Sequence, residues 1–193
     1  QKTAYEIYQC DWSSDVCSSD LPGQMTYASA GIGSSPHMAG ELFNYLAKVK
    51  LVHVPYKGGG PAVADLMGGH VQLFFSSIAT TLPYVRGGKV KGIAVTSAKR
   101  SRAAPEFPTI AESGVPGFEV IGWYGLGAPA RTPRALVDRL NAVTNRALPE
   151  LKERYAAIGT EIAGGSAMEF AAYIKTEHEK WARVIKISGA KAE

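Results

Sequence analysis

At 193 residues, with 46% hydrophobic side chains and a formal charge of +4, the chain has apolar material for one large domain or two small ones. Its longest apolar runs fall far short of a membrane span, and its first residues lack the basic flank and apolar centre of a secretory signal. The charge is uneven: residues 1–21 hold one lysine and four acids, which leaves the remainder 20 basic and 13 acidic side chains, a balance of +7.

That basic remainder reads as a solvated face with weak steering of anions. Lys89, Lys91, Lys99, Arg100 and Arg102 have no interleaved aromatics and match no nucleic-acid module, so no nucleic acid is expected as a partner. The two cysteines, Cys10 and Cys17, are not spaced as a CxxC pair and have no second pair of ligands behind them, so no metal site is expected. A body without cysteine fits an oxidising compartment.

Taken in order, residues 1–21 sustain neither a helical nor a strand period, and CDWSSDVCSSDL looks like a translated sequencing adapter joined where natural sequence belongs. This segment is expected to be foreign or disordered, with an irregular natural arm as the alternative. The chain starts at Gln1, and an upstream segment is expected.

From Pro22 the pattern becomes regular. Thr26–Ser29 reads as a short strand that passes through a glycine-rich turn into a helix. Ser34 or Ser35 can cap that helix, and Pro36 suits its first position. Met38, Leu42, Tyr45, Leu46 and Val49 recur at helical spacing as its core face. A strand over Leu51–Val54, a loop Tyr56-Lys-Gly-Gly-Gly60 and a helix from Pro61 to about Met67 repeat the plan. A third copy follows with a strand over Val71–Phe75, then Ser76 and Ser77, and a helix carrying Leu82, Tyr84 and Val85. Val90–Thr96 reads as a fourth strand. Alternation of this kind predicts an α/β fold with a mostly parallel sheet, in which the loops after Ser29, Pro55 and Phe75 leave from one edge.

Residues 99–122 form a proline- and glycine-rich connector with one helical turn near Thr109–Ser113, and Trp123–Pro129 is extended. Beyond it, Thr132 is expected to cap a helix with Leu136, Val137, Leu140 and Val143 on its apolar side. A separate helix is expected from about Glu150 to Ala157, a strand over Thr160–Ala163, and a capping box, Ser166-Ala-Met-Glu169, opening a final helix to about Ile187.

Catalytic motifs do not complete. Gly31-Ile-Gly33 meets Pro36 where a dinucleotide fingerprint needs its third glycine, and neither GxxxxGK[ST] nor GxSxG occurs. His178-Glu179 opens a zinc-protease motif that fails at Ala182. His37 is the histidine beside a polar loop; His53, His70 and His178 read as structural. The sequence offers a binding site, with no cofactor and no catalytic residues expected.

YASAGIGSSPHMAGELF, VHVPYKGGGPAVADLMGGHVQLFF, GIAVTSAKRS with PEFPTIAESGVPGFEV, and WYGLGAPARTPRALVDRLN resemble, in this order and spacing, the substrate-binding proteins of tripartite tricarboxylate transporters, the Bug or TctC-like family. The resemblance runs from about Met25 to the C-terminus. It implies a periplasmic-binding-protein-like (Venus flytrap) α/β receptor, monomeric and located in the periplasm, that closes on a small organic carboxylate and delivers it to membrane permease subunits. It implies ligand contacts at Ser29, Gly31, Gly33, Ser34 and Ser35 in the first loop, Tyr56 and Gly58 in the second, and Ser76 in the third. Many relatives carry Asp where Ser76 stands, which points to a ligand without an ammonium group. Relatives are longer, so the resemblance implies an N-terminally truncated chain: residues 22–122 as ligand-binding domain two, and 123–193 as the returning part of domain one. Two other readings stay open on the residues alone, a sensor or adaptor built on the same fold and an enzyme acting through Ser34 or His37.

Overall fold

The computed structural model describes residues 25–189, so the expectations for residues 1–21 and their cysteines lie outside the described residues. Strand β1 (Thr26–Ser29) is the middle of a three-stranded sheet, flanked by β2 (Val52–Pro55) and β3 (Leu73–Phe74), and both pairings are parallel. Helix α1 (Ser35–Ala47) connects β1 to β2, α2 (Gly59–Met67) connects β2 to β3, and α3 (Ile78–Arg86) follows β3. Two long helices, α4 (Arg134–Ala157) and α5 (Ala167–Ser188), complete the chain.

Local chemistry explains these boundaries. Ser34 caps α1 by accepting the His37 N–H, and Pro36 sits in the first turn, where its missing N–H has no intrahelical acceptor. The helix ends in a left-handed Lys48 whose N–H reaches the Asn44 carbonyl. The Asn44 side chain then holds the entry to β2, donating to the Leu51 carbonyl at 3.1 Å and accepting the Leu51 N–H at 2.8 Å. Gln72 does the same for the start of β1, its Oε1 accepting both the N–H and the hydroxyl of Thr26 at 2.8 Å.

The core lies between the sheet and α1. Tyr27, Met38, Ala39, Leu42, Phe43 and Leu51 are buried in it together with Val115, Phe118 and Val120, and α5 contributes Val184 with Trp181 packed alongside. The apolar stripe of α1 is centred on Ala39, Leu42, Phe43 and Leu46. Tyr45, expected on that face, lies about a third of a turn from its centre and is half exposed, whereas Phe43 takes the core position.

The other departures concern elements whose partners are distant in sequence. Val90–Thr96 is not a strand; it makes a single parallel bridge, Val95 to Thr109. Its last two residues bond to the connector, Val95 N–H to the Pro108 carbonyl, Ile110 N–H to the Val95 carbonyl and Val120 N–H to the Thr96 carbonyl, at 2.8–3.0 Å. No strand forms over Thr160–Ala163. The two helices expected either side of Glu150 are one, α4, which runs through Pro149; that proline removes a single N–H and leaves the rest of the ladder in place. Pro133, not Thr132, holds the cap position of α4, with no side-chain cap bond. Leu136, Leu140 and Val143 were expected on a packed face and are each about half exposed.

The capping box at Ser166 is present, with Glu169 accepting the Ser166 N–H at 2.7 Å and the Ser166 hydroxyl accepting the Glu169 N–H at 3.2 Å. No helix among the described residues is long and apolar enough to cross a membrane.

Gly40 lets α1 approach β1, because a Cβ there would penetrate the ring of the fully buried Tyr27. Gly40→Ala is expected to lower the unfolding free energy by about 1–3 kcal/mol, read from the urea midpoint. An unchanged midpoint would contradict this packing.

Candidate functional site

Parallel register decides what stands beside what. Ala28 pairs with both Val54 and Phe74, so the chain beyond each of these residues emerges at the same edge of the sheet: Ala30–Ser34, Tyr56–Gly58 and Phe75–Ser77. Two backbone bonds tie the first loop to the second, Tyr56 N–H to the Ser29 carbonyl and Gly58 N–H to the Ala30 carbonyl, both 3.1 Å. The first turns of α2 and α3 meet just beyond the second and third loops, where a Cβ on Gly59 would lie 3.1 Å from the Thr80 methyl.

Each loop runs directly into the N-terminus of a helix. Ser34, Gly58 and Ser77 are the three cap residues, and none of the three helices has an acidic side chain in its first turn. Three positive dipole ends therefore point to one edge without internal neutralisation. The N–H groups of Ser35, Gly59 and Gly60 have no acceptor among the described residues. Gly122 of the exposed 121–130 segment passes close by, since a Cβ on it would lie 3.9 Å from the Ser35 hydroxyl.

The eight residues singled out in the sequence divide by role. Ser35 and Gly33 are exposed on the loop surface, with Gly31, Ser34, Gly58 and Ser76 half-buried beside them. Ser34 is engaged as the α1 cap and also donates to the Gly31 carbonyl at 2.6 Å. Ser76 donates to the Ser77 carbonyl at 3.0 Å. The hydroxyl of Tyr56 donates to Asp65 at 2.7 Å; partial burial and that carboxylate push the phenol up to about 12.

Ser29 faces inward. It is completely buried, and its hydroxyl accepts the Gly31 N–H at 3.1 Å and lies 2.6 Å from Nε2 of His53. His53 stacks on His37 with ring centroids 4.0 Å apart and planes 16° from parallel. Nδ1 of His37 accepts the Gly33 N–H at 3.0 Å, so this nitrogen carries no proton, and the neutral ring bears its hydrogen on Nε2, 4.0 Å from Oε1 of Glu41. The same Glu41 oxygen accepts the Tyr27 hydroxyl at 2.7 Å. Burial, then the Glu41 carboxylate, push the Tyr27 phenol far above its usual range. Burial lowers His37, opposed by Glu41; burial and the neighbouring His37 lower His53 to about 4.

Two sets of residues escaped the sequence reading. Gly59, Gly60, Ile78 and Ala79, at the second and third helix starts, were not singled out, although each polar loop ends in a glycine or serine cap. His53 was taken as structural without a link to Ser29 or His37; the alternation in Val52-His-Val54 shows only that it shares a face with neither valine. Among the described residues no group of three or more His, Cys, Asp or Glu side chains is placed to hold a metal ion.

The family model described as the tripartite tricarboxylate transporter family receptor matches residues 16–190, beginning inside the 1–21 segment expected to be foreign. A UPF0065 protein from the tcbD-tcbE intergenic region of Pseudomonas sp. (strain P51) is 42% identical over 167 residues, covering 85% of this chain and 50% of that relative. Among solved structures, R. palustris Rpa4515 with adipate superposes with a TM-score of 0.84 at 34% identity, covering 89% of this chain and 58% of that one. The periplasmic binding protein BugD gives a TM-score of 0.81 at 35% identity, covering 90% and 60% of the two chains. MatC from Rhodopseudomonas palustris with bound malate gives 0.78 at 33% identity, covering 84% and 57%. The chain thus has the periplasmic-binding-protein α/β fold and spans about half the length of the relative it matches from Pseudomonas. It belongs to the tripartite tricarboxylate transporter receptor family.

Proposed function

We propose that the loop edge is one wall of a carboxylate-binding cleft, in an extracytoplasmic receptor that passes a small organic acid to the membrane permease subunits of a tripartite transporter. The observation that carries this reading is the convergence of three helix N-termini with no acidic side chain in any first turn. A carboxylate there gains charge-assisted bonds from Ser35, Gly59 and Gly60 amides, each contributing about 1.5–3 kcal/mol net. Gly31, Gly33, Ser34, Gly58 and Ser76 shape the contact surface, while Ser29 and Tyr56 brace it from behind. Adipate and malate, present in two of the similar structures, support a small organic acid as the ligand class. The family supports the periplasm as location and a binding rather than a catalytic role.

The domain division belongs to this proposal. Residues 22–122 form the ligand-binding domain, and 123–193 return to a second domain whose remaining layer covers α4. Its support is the uncovered apolar side of α4, where Leu136, Leu140 and Val143 are about half exposed and a shallow hollow is lined by Val143, Arg146, Ala147 and Glu150.

In an NMR titration of the 193-residue chain, adipate or malate is expected to shift the amides of Ser35, Gly59 and Gly60 with weak affinity, and adipamide is expected to leave them unmoved. Equal shifts with adipamide, or none with either acid, would refute the carboxylate site. Leu140→Ser is expected to change the stability of this chain by less than about 0.5 kcal/mol and that of a chain of the relatives' full length by about 2 kcal/mol or more. Denaturant unfolding of both pairs decides it, and equal small effects would remove the support for a covering layer.

A further inference from the structure

We propose that His37 is the positioning residue of the β1–α1 loop: its bare Nδ1 holds the Gly33 N–H, and a proton arriving there expels that amide and loosens the wall of the cleft. This rests on the carboxylate-cleft reading for its consequence in binding; its structural part stands on the loop alone.

The geometry singles out His37 over its stacked neighbour. If His53 gains a proton, its Nε2–H donates to the Ser29 hydroxyl, which can in turn donate to the Gly31 carbonyl at 3.1 Å, so that network accepts the charge. If His37 gains one, Nδ1–H and the Gly33 N–H face each other as two donors across 3.0 Å. The ring cannot easily turn away. His53 stacks on it from β2 at 4.0 Å, and Glu41, one turn along α1, draws the Nε2 side, while Tyr27 of β1 holds Glu41 in place at 2.7 Å. Glu41 of α1 and His53 of β2 are the titratable groups that face this ring, and Tyr27 and Ser29 of β1 reach it through them, Tyr27 by its bond to Glu41 and Ser29 by its contact with His53. Relief therefore comes from the loop, where Gly33 is exposed, has φ +75° and has open space where a Cβ would stand.

The sign follows from the protonation states. Burial lowers the native His37 below its ordinary 6.5, so the neutral, accepting form is fully present above that value. As pH falls below 6.5 the unfolded or loosened loop binds the proton first, and the stability contributed by the Gly33 bond is progressively lost towards the native value. Ligand capture at this edge weakens in the same direction.

The test uses the ¹⁵N-labelled 193-residue chain without ligand. A through-bond coupling between the Gly33 amide nitrogen and Nδ1 of His37 is expected at about pH 7.5 and is expected to weaken progressively as the pH is lowered below 6.5 towards about 4.5. Gly33 exchange, corrected for intrinsic rate, is expected to rise at least about tenfold over that interval. His37→Asn, whose side-chain oxygen can stand near the Nδ1 position without titrating, should keep Gly33 protected at both pH values; His37→Leu should leave it unprotected at both. Equal Gly33 protection in wild type and His37→Leu, or a pH response that survives in His37→Asn, would overturn the assignment. With adipate as probe, affinity should fall at least about tenfold in His37→Leu and lose its acid sensitivity in His37→Asn. Absence of adipate binding to wild type would count against the cleft reading, while the Gly33 measurements would still decide the role of His37.

Discussion

Because Gly40 has no side chain, α1 comes down onto the ring of Tyr27, and the loop edge inherits its position from that approach. Tyr27 touches three elements at once. Its ring stacks on His53 of β2 at 5.0 Å and meets Phe75 edge-on at 5.7 Å, and its hydroxyl reaches Glu41 on α1. A buried phenol without a partner is costly, and the carboxylate that satisfies it also faces Nε2 of His37. The aromatic core and the polar loop are thus two ends of one contact chain. Any change that moves Tyr27 moves the ring that holds Gly33.

The electrostatics of the edge follow from arrangement more than from charged side chains. A carboxylate buried without compensation is expensive, and an arginine is the usual remedy. In the proposed cleft the backbone amides of Ser35, Gly59 and Gly60, at the starts of α1 and α2, offer the compensation, and they need no side-chain ordering when a ligand arrives. Glu41 does not cancel this effect. It lies in the second turn of α1, beneath the loop, and its near oxygen is occupied by Tyr27. The negative charge beside His37 is kept one layer away from the loop surface of the proposed cleft.

What was legible in the sequence was what local chemistry determines. The Thr26–Ser29 strand, a serine cap with Pro36 in the first turn, and the Ser166 capping box all depend on residues within a few positions of one another, and all are present, Ser34 taking the cap that the sequence left open between Ser34 and Ser35. The convergence of three loops was also legible, because parallel pairing forces it once the strand–helix alternation is recognised. Tyr45 was misassigned and Phe43 left out because a periodic stripe fixes a face only to within a residue or so, and the ring of Phe118 selects Phe43. Val90–Thr96 has the composition of a strand, but the Val95 N–H and carbonyl and the Thr96 carbonyl are taken by 108–120, a partner that no local pattern announces. The His37–His53 stack is of the same kind, joining α1 to β2 through register alone.

Helix α5 raises a different question, since most of its surface is exposed and a helix needs more than propensity to persist in water. Its two ends answer separately. At the start, the capping box satisfies the first amides, and Asn145 of α4 clamps the preceding turn by donating to the Gly165 carbonyl and accepting its N–H, both at 2.9 Å. At the far end, Val184 is buried in the core beneath α1, Trp181 packs beside it and donates to Glu177 at 2.9 Å, and a left-handed Gly189 closes the last turn. Between them, Phe170 and Tyr173 receive Trp123 edge-on, and Gly125 is small enough to let Phe170 lie against the 121–130 segment. The α4 layer is therefore joined to the loop-bearing core by one continuous helix and one extended segment. The same segment brings Gly122 to Ser35, so the connection between the layers passes beside the N-terminus of α1.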